Sequence, residues 1–261
     1  MNFQFCAKTD TGRSRDNNED SVVFDEATRL AVLADGMGGY NAGEIASGMA
    51  TAFIKSELNR WLSEAGEGAK LREVRRAMEI CVDNANLSIY NAANSNASYS
   101  GMGTTLVMGV FREDKLLVGH IGDSRCYRLR DGELQQITKD HSLLQEQLDA
   151  GLVTQEQAAT SSIRNLVTRA MGVEESVVLE VNEYSVQLGD IYVMCSDGLS
   201  DMVDDATIGK ILCVQAELSE KAGFLIDAAN EHGGRDNISV VMVEVTQVLE
   251  KKGFFARLRG N

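Results

Sequence analysis

The chain has 261 residues, of which 44% are hydrophobic and 25% are charged, a composition typical of globular proteins. Twenty-five Lys and Arg residues against 39 Asp and Glu residues give a net charge of −14, which disfavours a nucleic-acid-binding function. The longest apolar runs hold about five residues, far below the ~18 that a membrane span needs, so we expect no integral membrane segment.

The N-terminus and the cysteines indicate the compartment. The first ten residues contain no basic segment followed by a long apolar one, so we expect no secretory signal. Five cysteines, an odd number without a C-x-x-C pair, predict reduced thiols. Both observations favour a cytoplasmic location.

Hydrophobic periodicity predicts strands first and helices next. Residues 2–8, 21–24 and 30–34 are typical of short strands. From Ala42 the apolar residues recur at helical spacing, and a second helix carries a clear apolar stripe over residues 71–89. The N-terminal half is therefore expected to pair two helices with a sheet.

The C-terminal half is predicted mainly as strands. Residues 142–170, here called the flap, are polar and weakly helical, and we expect them to be an insertion rather than core. The other predicted elements are strands at 103–111, 115–123, 177–186, 190–198 and 237–245, a stretch of strand at 124–138 with an Asp-Gly hairpin signal at RDGE, and helices at about 204–214 and 218–231. Strands in meander order with paired helices predict an α+β fold of packed antiparallel sheets covered by helices.

We expect one domain over residues 1–247, because no linker, repeat or low-complexity tract interrupts it. Residues 248–261 mix basic and aromatic side chains and are predicted to be a C-terminal tail outside that domain.

Acidic residues recur where apolar strands begin or end. The stretch AVLADGMGG runs from apolar residues into Asp35 and Gly36, and IYVMCSDG repeats the pattern at Asp197. The other acidic residues at strand ends are Asp20 with its neighbour Glu19, Asp123 and Asp236. Asp-Gly is common turn chemistry, but turns alone do not require an acidic residue at five strand ends.

Several carboxylates buried together require a cation to neutralise them. Oxygen ligands without histidine or cysteine favour Mg²⁺ or Mn²⁺, and three histidines without an H-E-x-x-H motif disfavour zinc. Phosphate-binding glycine motifs do not fit, because Asn41 occupies the third glycine position of G-x-G-x-x-G and no G-K-[ST] exists.

Eight motifs in order resemble the metal-dependent protein serine/threonine phosphatases of the type 2C class, in their compact bacterial form. The resemblance covers about residues 3–246. The motifs are RDNNEDS (15–21), ADGMGGYNAGEIAS (34–47), GMGTTL (101–106), GDSRCY (122–127), DHSLLQEQLDAGLVTQEQA (140–158), NLVTRAMG (165–172), CSDGLSD (195–201) and RDNISVV (235–241).

The resemblance implies two packed antiparallel β-sheets flanked by helix pairs, with a dinuclear Mn²⁺ or Mg²⁺ centre at one end. It implies that Asp35 bridges both ions and that Gly36 contributes its backbone carbonyl. The remaining implied ligands are Asp197 and Asp236 on one ion, and Asp20, beside Glu19, on the other through water.

Two further residues match family positions. Asp123 corresponds to a residue that, with Asp197, binds a weaker third ion; a plain cap of the GDSR turn is an equally open reading. Arg15 corresponds to the arginine that binds the phosphate, a role that suits its bidentate hydrogen bonding. Met37 departs from the eukaryotic members, which carry a histidine at that position.

The expected activity is hydrolysis of phosphoserine and phosphothreonine monoesters by a metal-activated water. The expected partners are phosphorylated proteins, including substrates of a bacterial Ser/Thr kinase and the kinase itself, and the expected state is a monomer. The flap is expected to contact the polypeptide around the phosphoresidue. A pseudophosphatase that binds phosphoproteins without turnover is the alternative, and the acidic charge disfavours a two-metal nuclease.

Overall fold

The computed structural model describes residues 1–38, 42–154, 157–158 and 166–247. The strands β1 to β11 span, in chain order, Asn2–Asp10, Asp20–Asp25, Leu30–Met37, Gly103–Thr104, Leu106–Arg112, Lys115–Ile121, Arg125–Arg130, Glu133–Gln136, Glu180–Ser185, Ile191–Cys195 and Ile238–Thr246. The helices α1 to α6 span Gly43–Ala65, Leu71–Ser95, Leu143–Asp149, Asp197–Ser200, Asp205–Leu212 and Leu218–Glu231, and a short 3-10 helix covers Ala97–Tyr99.

The strands form two sheets in which every pairing is antiparallel. One sheet has the order β1-β11-β10-β7-β8, and the other has the order β2-β3-β5-β6-β9, with β4 paired to β3. The predicted α+β architecture is confirmed.

The side chains of β3 show how four layers stack. Ala31 and Leu33 point into the apolar core between the two sheets. Leu30, Val32 and Ala34 point the other way, into the core beneath α1 and α2. This alternation follows from the two-residue period of a strand, and the helices α4 to α6 cover the opposite sheet in the same manner.

One strand is longer than its sequence pattern predicts. The apolar run stops at Ala34, yet β3 continues to Met37 because β4 pairs with Gly36 and Met37. The strand therefore carries Asp35 within its regular geometry rather than in a loop after it.

The flap leaves and rejoins the fold at a two-stranded base. Ser142 pairs with Val167, and the backbone N–H of Thr168 donates to the carbonyl of His141 at 2.8 Å. The Ser142 hydroxyl accepts a hydrogen bond from the N–H of Gln145 and so begins α3. Residues 155–156 and 159–165 of the flap and the tail at 248–261 lie outside the described residues.

Two expectations from composition concern the state of the cysteines and membrane-spanning segments. All five cysteines are free thiols, three of them buried. Among the helices that the structure describes, none is long and apolar enough to cross a membrane.

Candidate metal centre and active site

Two carboxylates meet at one end of the space between the sheets. Asp20 begins β2 and stands opposite Asp35 of β3 in the antiparallel register. Asp35 follows Ala31 and Leu33 on the face of β3 that points toward the inter-sheet core. The strand pairing therefore places both side chains at the same end of that core.

The GMGTTL motif holds Asp35 in place through its backbone. The hydroxyl of Thr104 and the N–H of Thr105 both donate to the carbonyl of Asp35, at 2.8 and 2.9 Å. The N–H of Asp35 donates to the Thr105 hydroxyl at 3.1 Å, and that hydroxyl lies 2.7 Å from the Ser124 hydroxyl. These contacts fix the backbone of Asp35 and so the position from which its side chain extends.

Gly36 lies where no side chain fits. A Cβ at this position would stand 2.2 Å from the carbonyl oxygen of Gly43 and 2.5 Å from that of Glu19. The Glu19 carbonyl accepts hydrogen bonds from the Gly36 N–H at 3.1 Å and from the Ser47 hydroxyl at 2.6 Å. The start of α1 is therefore packed directly against the strand end that carries Asp35.

The CSDG and RDN motifs come together from β10 and β11. Asp197 is the first residue of α4, and only Ser196 separates it from β10. Gly198 lies so close to Asn237 that an added Cβ would stand 1.9 Å from the Asn237 carbonyl oxygen. This contact brings Asp236, just before β11, next to Asp197.

Three of these carboxyl groups have raised pKa values because of burial and of the neighbouring charges. Burial first, and then the charges of Asp20 and Asp197, raises the pKa of Asp35 well above its usual range. Burial first, and then the charges of Asp123 and Asp236, does the same to the pKa of Asp197. Burial is also the main reason why the pKa of Asp20 rises to about 6.

Arg15 supplies a positive charge at the edge of the cluster. Its Nη2 lies 2.7 Å from Oδ2 of Asp236, and half of the Arg15 side chain is exposed. The loop that carries Arg15 is anchored by Asn237, whose Nδ2 donates to the carbonyls of Thr11 and Asn17 at 2.9 and 2.8 Å. Arg15 therefore stands at the mouth of the centre rather than on an unrelated surface.

Asp123 lies on the flap side of the cluster. It lines a cavity of about 450 Å³ together with Asp197 and with Leu144, Gln145 and Leu148 of the flap. Burial first, and then the charge of Asp140, raises the pKa of Asp123 to about 6. The flap helix α3 thus borders the acidic centre.

A second group of possible metal ligands lies at the base of the flap. Single ligand atoms of His120, His141 and Glu180 lie within 4.8 Å of one another. The two imidazoles stack with centroids 4.6 Å apart and an interplanar angle of 18°, so their lone pairs lie in nearly parallel planes rather than converging from different planes. Arg169 Nη1 lies 3.4 Å from His141 Nε2 and opposes a cation there. The group therefore supports the flap base.

The carboxylate cluster fits divalent cations. Its side-chain donors are all oxygen, which Mg²⁺ and Mn²⁺ prefer. Oδ1 of Asp20 is buried and has no hydrogen-bond donor in the part of the chain that the structure describes. A buried carboxylate oxygen without a donor is costly unless a cation meets it.

The structure brings together the residues that the sequence singles out. At one end of the sheets it places Arg15, Glu19, Asp20, Asp35, Gly36, Asp123, Asp197 and Asp236. Sequence reasoning missed the residues that hold these in place. The Ser196 hydroxyl donates to Asp20 Oδ2 at 2.7 Å, and the Glu19 N–H donates to Asn237 Oδ1 at 2.8 Å. Both supporting residues lie within recognised motifs but carry no signal of their own.

Comparisons with known proteins give the family. The profile of the family described as Protein phosphatase 2C matches residues 10–231. The serine/threonine phosphatase stp of Listeria innocua is 37% identical over 240 residues, which cover 91% of this chain and 94% of that protein.

Two solved structures share the fold. The serine/threonine phosphatase PstP/Ppp of Mycobacterium tuberculosis has a TM-score of 0.85 and 38% identity, covering 95% of this chain and 100% of that chain. The catalytic domain of PstP in complex with two manganese ions has a TM-score of 0.82 and 39% identity, covering 94% of this chain and 99% of that chain.

Fold, site and comparisons together define a metal-dependent hydrolase. The chain belongs to the protein phosphatase 2C family of serine/threonine phosphatases.

Proposed function

We propose that this chain hydrolyses phosphoserine and phosphothreonine monoesters of proteins at a centre of two Mn²⁺ or Mg²⁺ ions. The observation that carries the proposal is the convergence of aspartates from four strand ends on one point, where burial first, and then neighbouring charges, raises the pKa of Asp20, Asp35 and Asp197. A fold that needed no cation there would gain stability by losing those charges.

Different residues of the chain would bind the metal ions and the phosphoryl group. The residues that would hold the ions are Asp20, Asp35, the Gly36 carbonyl, Asp197 and Asp236, with Asp123 and Asp197 at a weaker third ion. When bound, two such ions lower the pKa of a water and neutralise charge on phosphoryl oxygens.

Arg15 would bind the phosphoryl group. Its half-exposed guanidinium lies 2.7 Å from Asp236, so a phosphoryl group at the centre is within its reach. Bidentate hydrogen bonds from the guanidinium to two phosphoryl oxygens would stabilise the charge that develops there. Thr104 and Thr105 would keep Asp35 fixed during this step.

The physiological partners proposed are phosphorylated proteins, among them the substrates of a Ser/Thr kinase and the kinase itself. Relatives with 37% identity carry the name serine/threonine phosphatase, which supports this substrate class. We also propose that the domain covers residues 1–247 and works as a cytoplasmic monomer.

The test is phosphate release from phosphothreonine peptides with Mn²⁺ or Mg²⁺, with and without EDTA. We expect release that depends on either ion and is lost in EDTA. The matched control is Asp83→Asn, an exposed aspartate on α2, a helix that contributes no residue to the centre, and this variant should keep full activity. Full activity in excess EDTA would contradict the metal mechanism. Tight phosphopeptide binding without phosphate release would favour the pseudophosphatase alternative.

A further inference from the structure

Apolar side chains, two of them largely exposed, line a cavity that includes Met37, two residues after Asp35. Met37, Ala170, Val173, Val177 and Val178, together called the valine shelf, line a cavity of about 720 Å³. Val173 is 56% exposed and Val178 is 75% exposed, which leaves apolar surface uncovered beside a polar site. Large side chains exposed together in this way mark interaction surfaces more often than isolated ones do.

The shelf lies within reach of a polypeptide attached at the centre. Met37 follows Asp35 by two residues on the same face of β3, so their Cα atoms are about 7 Å apart. An extended peptide advances about 3.3 Å per residue, so a side chain one or two positions from the phosphoresidue reaches Met37.

Gly103 allows the side chains of Val173 and Met37 to approach each other. It pairs with Met37 across β3 and β4. A Cβ on Gly103 would stand 2.9 Å from Cγ2 of Val173 and 3.2 Å from Cε of Met37. The absence of a side chain at Gly103 therefore sets Val173 against Met37.

The loop that carries Val173 is held rigidly. Met171 exchanges two backbone hydrogen bonds with Thr104, at 3.0 and 2.8 Å. The fully buried Asn86 of α2 accepts from the N–H of Gly172 at 2.7 Å and donates to the carbonyls of Glu174 and Glu175 at 3.0 and 3.1 Å. Binding to a surface held in this way requires little ordering of the protein, which favours affinity.

We infer that the valine shelf binds an apolar side chain of the phosphoprotein, one or two residues from the phosphoresidue. This inference rests on the proposed function and names a selectivity of the same site. The charged residues that line the cavity, Arg169 and Glu174, have opposite signs, so the cavity as a whole has no charge preference. A second copy of the chain is a poorer occupant, because it would obstruct a centre that must admit a polypeptide.

The experiment compares two phosphothreonine peptides that differ only in the residues flanking phosphothreonine, either leucine or serine. For the wild-type protein with Mn²⁺ we expect kcat/KM to be about tenfold higher for the leucine peptide. In the double variant Val173→Ser, Val178→Ser the preference should fall to about twofold. The matched control Val214→Ser, a 45% exposed valine following α5, should keep the wild-type preference.

Hydrolysis of p-nitrophenyl phosphate separates selectivity from chemistry. This ester is too small to reach the shelf, so its kcat/KM should change by less than about twofold in the double variant. Equal kcat/KM for both peptides with the wild-type protein, or equal losses on peptide and small ester in the variant, would overturn the inference. A concentration-dependent dimer in sedimentation, abolished by Val173→Asp, would assign the shelf to a second copy instead.

The experiment also distinguishes a wrong proposed function from a wrong inference about the valine shelf. If no ester is hydrolysed with Mn²⁺, the proposed activity fails, and the same two peptides are compared by calorimetric binding. Tighter binding of the leucine peptide, lost in the double variant, would still support the shelf, and equal affinities would overturn it.

Discussion

At Asp35 the requirements of cation binding and of folding oppose each other. Burial first, and then the charges of four other aspartates, raises the pKa of its carboxyl group well above the usual range. Without a cation these charges repel, so the metal-free fold carries a destabilising interaction that a bound ion relieves.

We therefore predict that Asp35→Asn stabilises the metal-free protein and abolishes its activity. Removing one charge relieves repulsion, so the melting temperature in EDTA should rise above that of the wild-type protein. Because even residues that only support metal ligands cost about 10- to 100-fold, kcat with Mn²⁺ should fall by more than about 100-fold. Scanning fluorimetry and phosphate release measure the two effects.

The rise in melting temperature on adding Mn²⁺ should also shrink in this variant, since binding to the folded state causes it. Asp83→Asn serves as the control, with a wild-type response to Mn²⁺. An Asp35→Asn protein that melts lower in EDTA and still responds fully to Mn²⁺ would remove Asp35 from the centre.

The second prediction concerns pH and Asp123. Burial and then Asp140 raise its pKa in the folded state from 3.8 to about 6. Between these values the folded state holds the proton more tightly than the unfolded state, so Asp123 destabilises the metal-free fold progressively as pH rises from 3.8 to about 6, and fully above that. The stability gained by Asp123→Asn in EDTA should thus be larger at pH 7.5 than at pH 4.5.

The difference between variant and wild type is the relevant quantity, because a net charge of −14 gives the whole protein its own pH dependence. Urea unfolding at the two pH values measures it. A gain that is the same at both values would show that Asp123 ionises as an exposed aspartate does.

At the scale of elements, the sequence indicates where the strands and the candidate metal ligands lie. It does not indicate which residues hold those ligands in place. An apolar run that ends in Asp-Gly, such as the one before Asp35, predicts both a buried strand and a charge at its end. The supports act across long separations: Ser196 bonds Asp20 over 176 residues, and Asn86 bonds Glu174 over 88. A polar residue within a helix or at a strand end looks the same whether or not such a distant partner exists.

The extension of β3 beyond Ala34 also depends on a contact between residues far apart in the sequence. Gly36 and Met37 are strand residues only because Gly103 and Thr104 lie beside them. Glycine weakens a strand, so local propensity does not predict a strand at Gly36. Pairing with β4 overrides that preference.

The flap helix α3 carries the third prediction. Leu144 and Gln145 line the cavity that also contains Asp123, whereas Glu146 is exposed and lines none of it. If α3 contacts the polypeptide rather than the phosphate, Leu144→Ala and Gln145→Ala should change relative kcat/KM among phosphopeptides several-fold, on the order of 1 kcal/mol.

The same two variants should hydrolyse p-nitrophenyl phosphate within about twofold of the wild-type rate, because this ester does not extend to α3. Glu146→Gln is the matched control on the same helix and should leave both measurements unchanged. Equal losses on peptides and on the small ester would place α3 in the catalytic machinery.

On the scale of the whole molecule, the site and the last described residues of the domain lie at opposite ends of β11. Asp236 precedes β11 directly, and Thr246 ends that strand opposite Asn2 of β1. Ten residues of extended chain separate Asp236 from Thr246, which amounts to about 30 Å. The metal centre is thus far from the point where the tail leaves the domain.

We therefore predict that removing residues 248–261 leaves the domain folded and active. The register of β1 and β11 is complete at Thr246, so no strand pairing that the structure describes is lost in a chain ending at residue 247. Its melting temperature and its kcat/KM on p-nitrophenyl phosphate with Mn²⁺ should equal those of the full chain within error. The full chain with Lys251, Lys252, Arg257 and Arg259 changed to Gln controls for loss of charge alone. Loss of activity or of soluble expression in the truncated protein alone would show that the tail belongs to the domain.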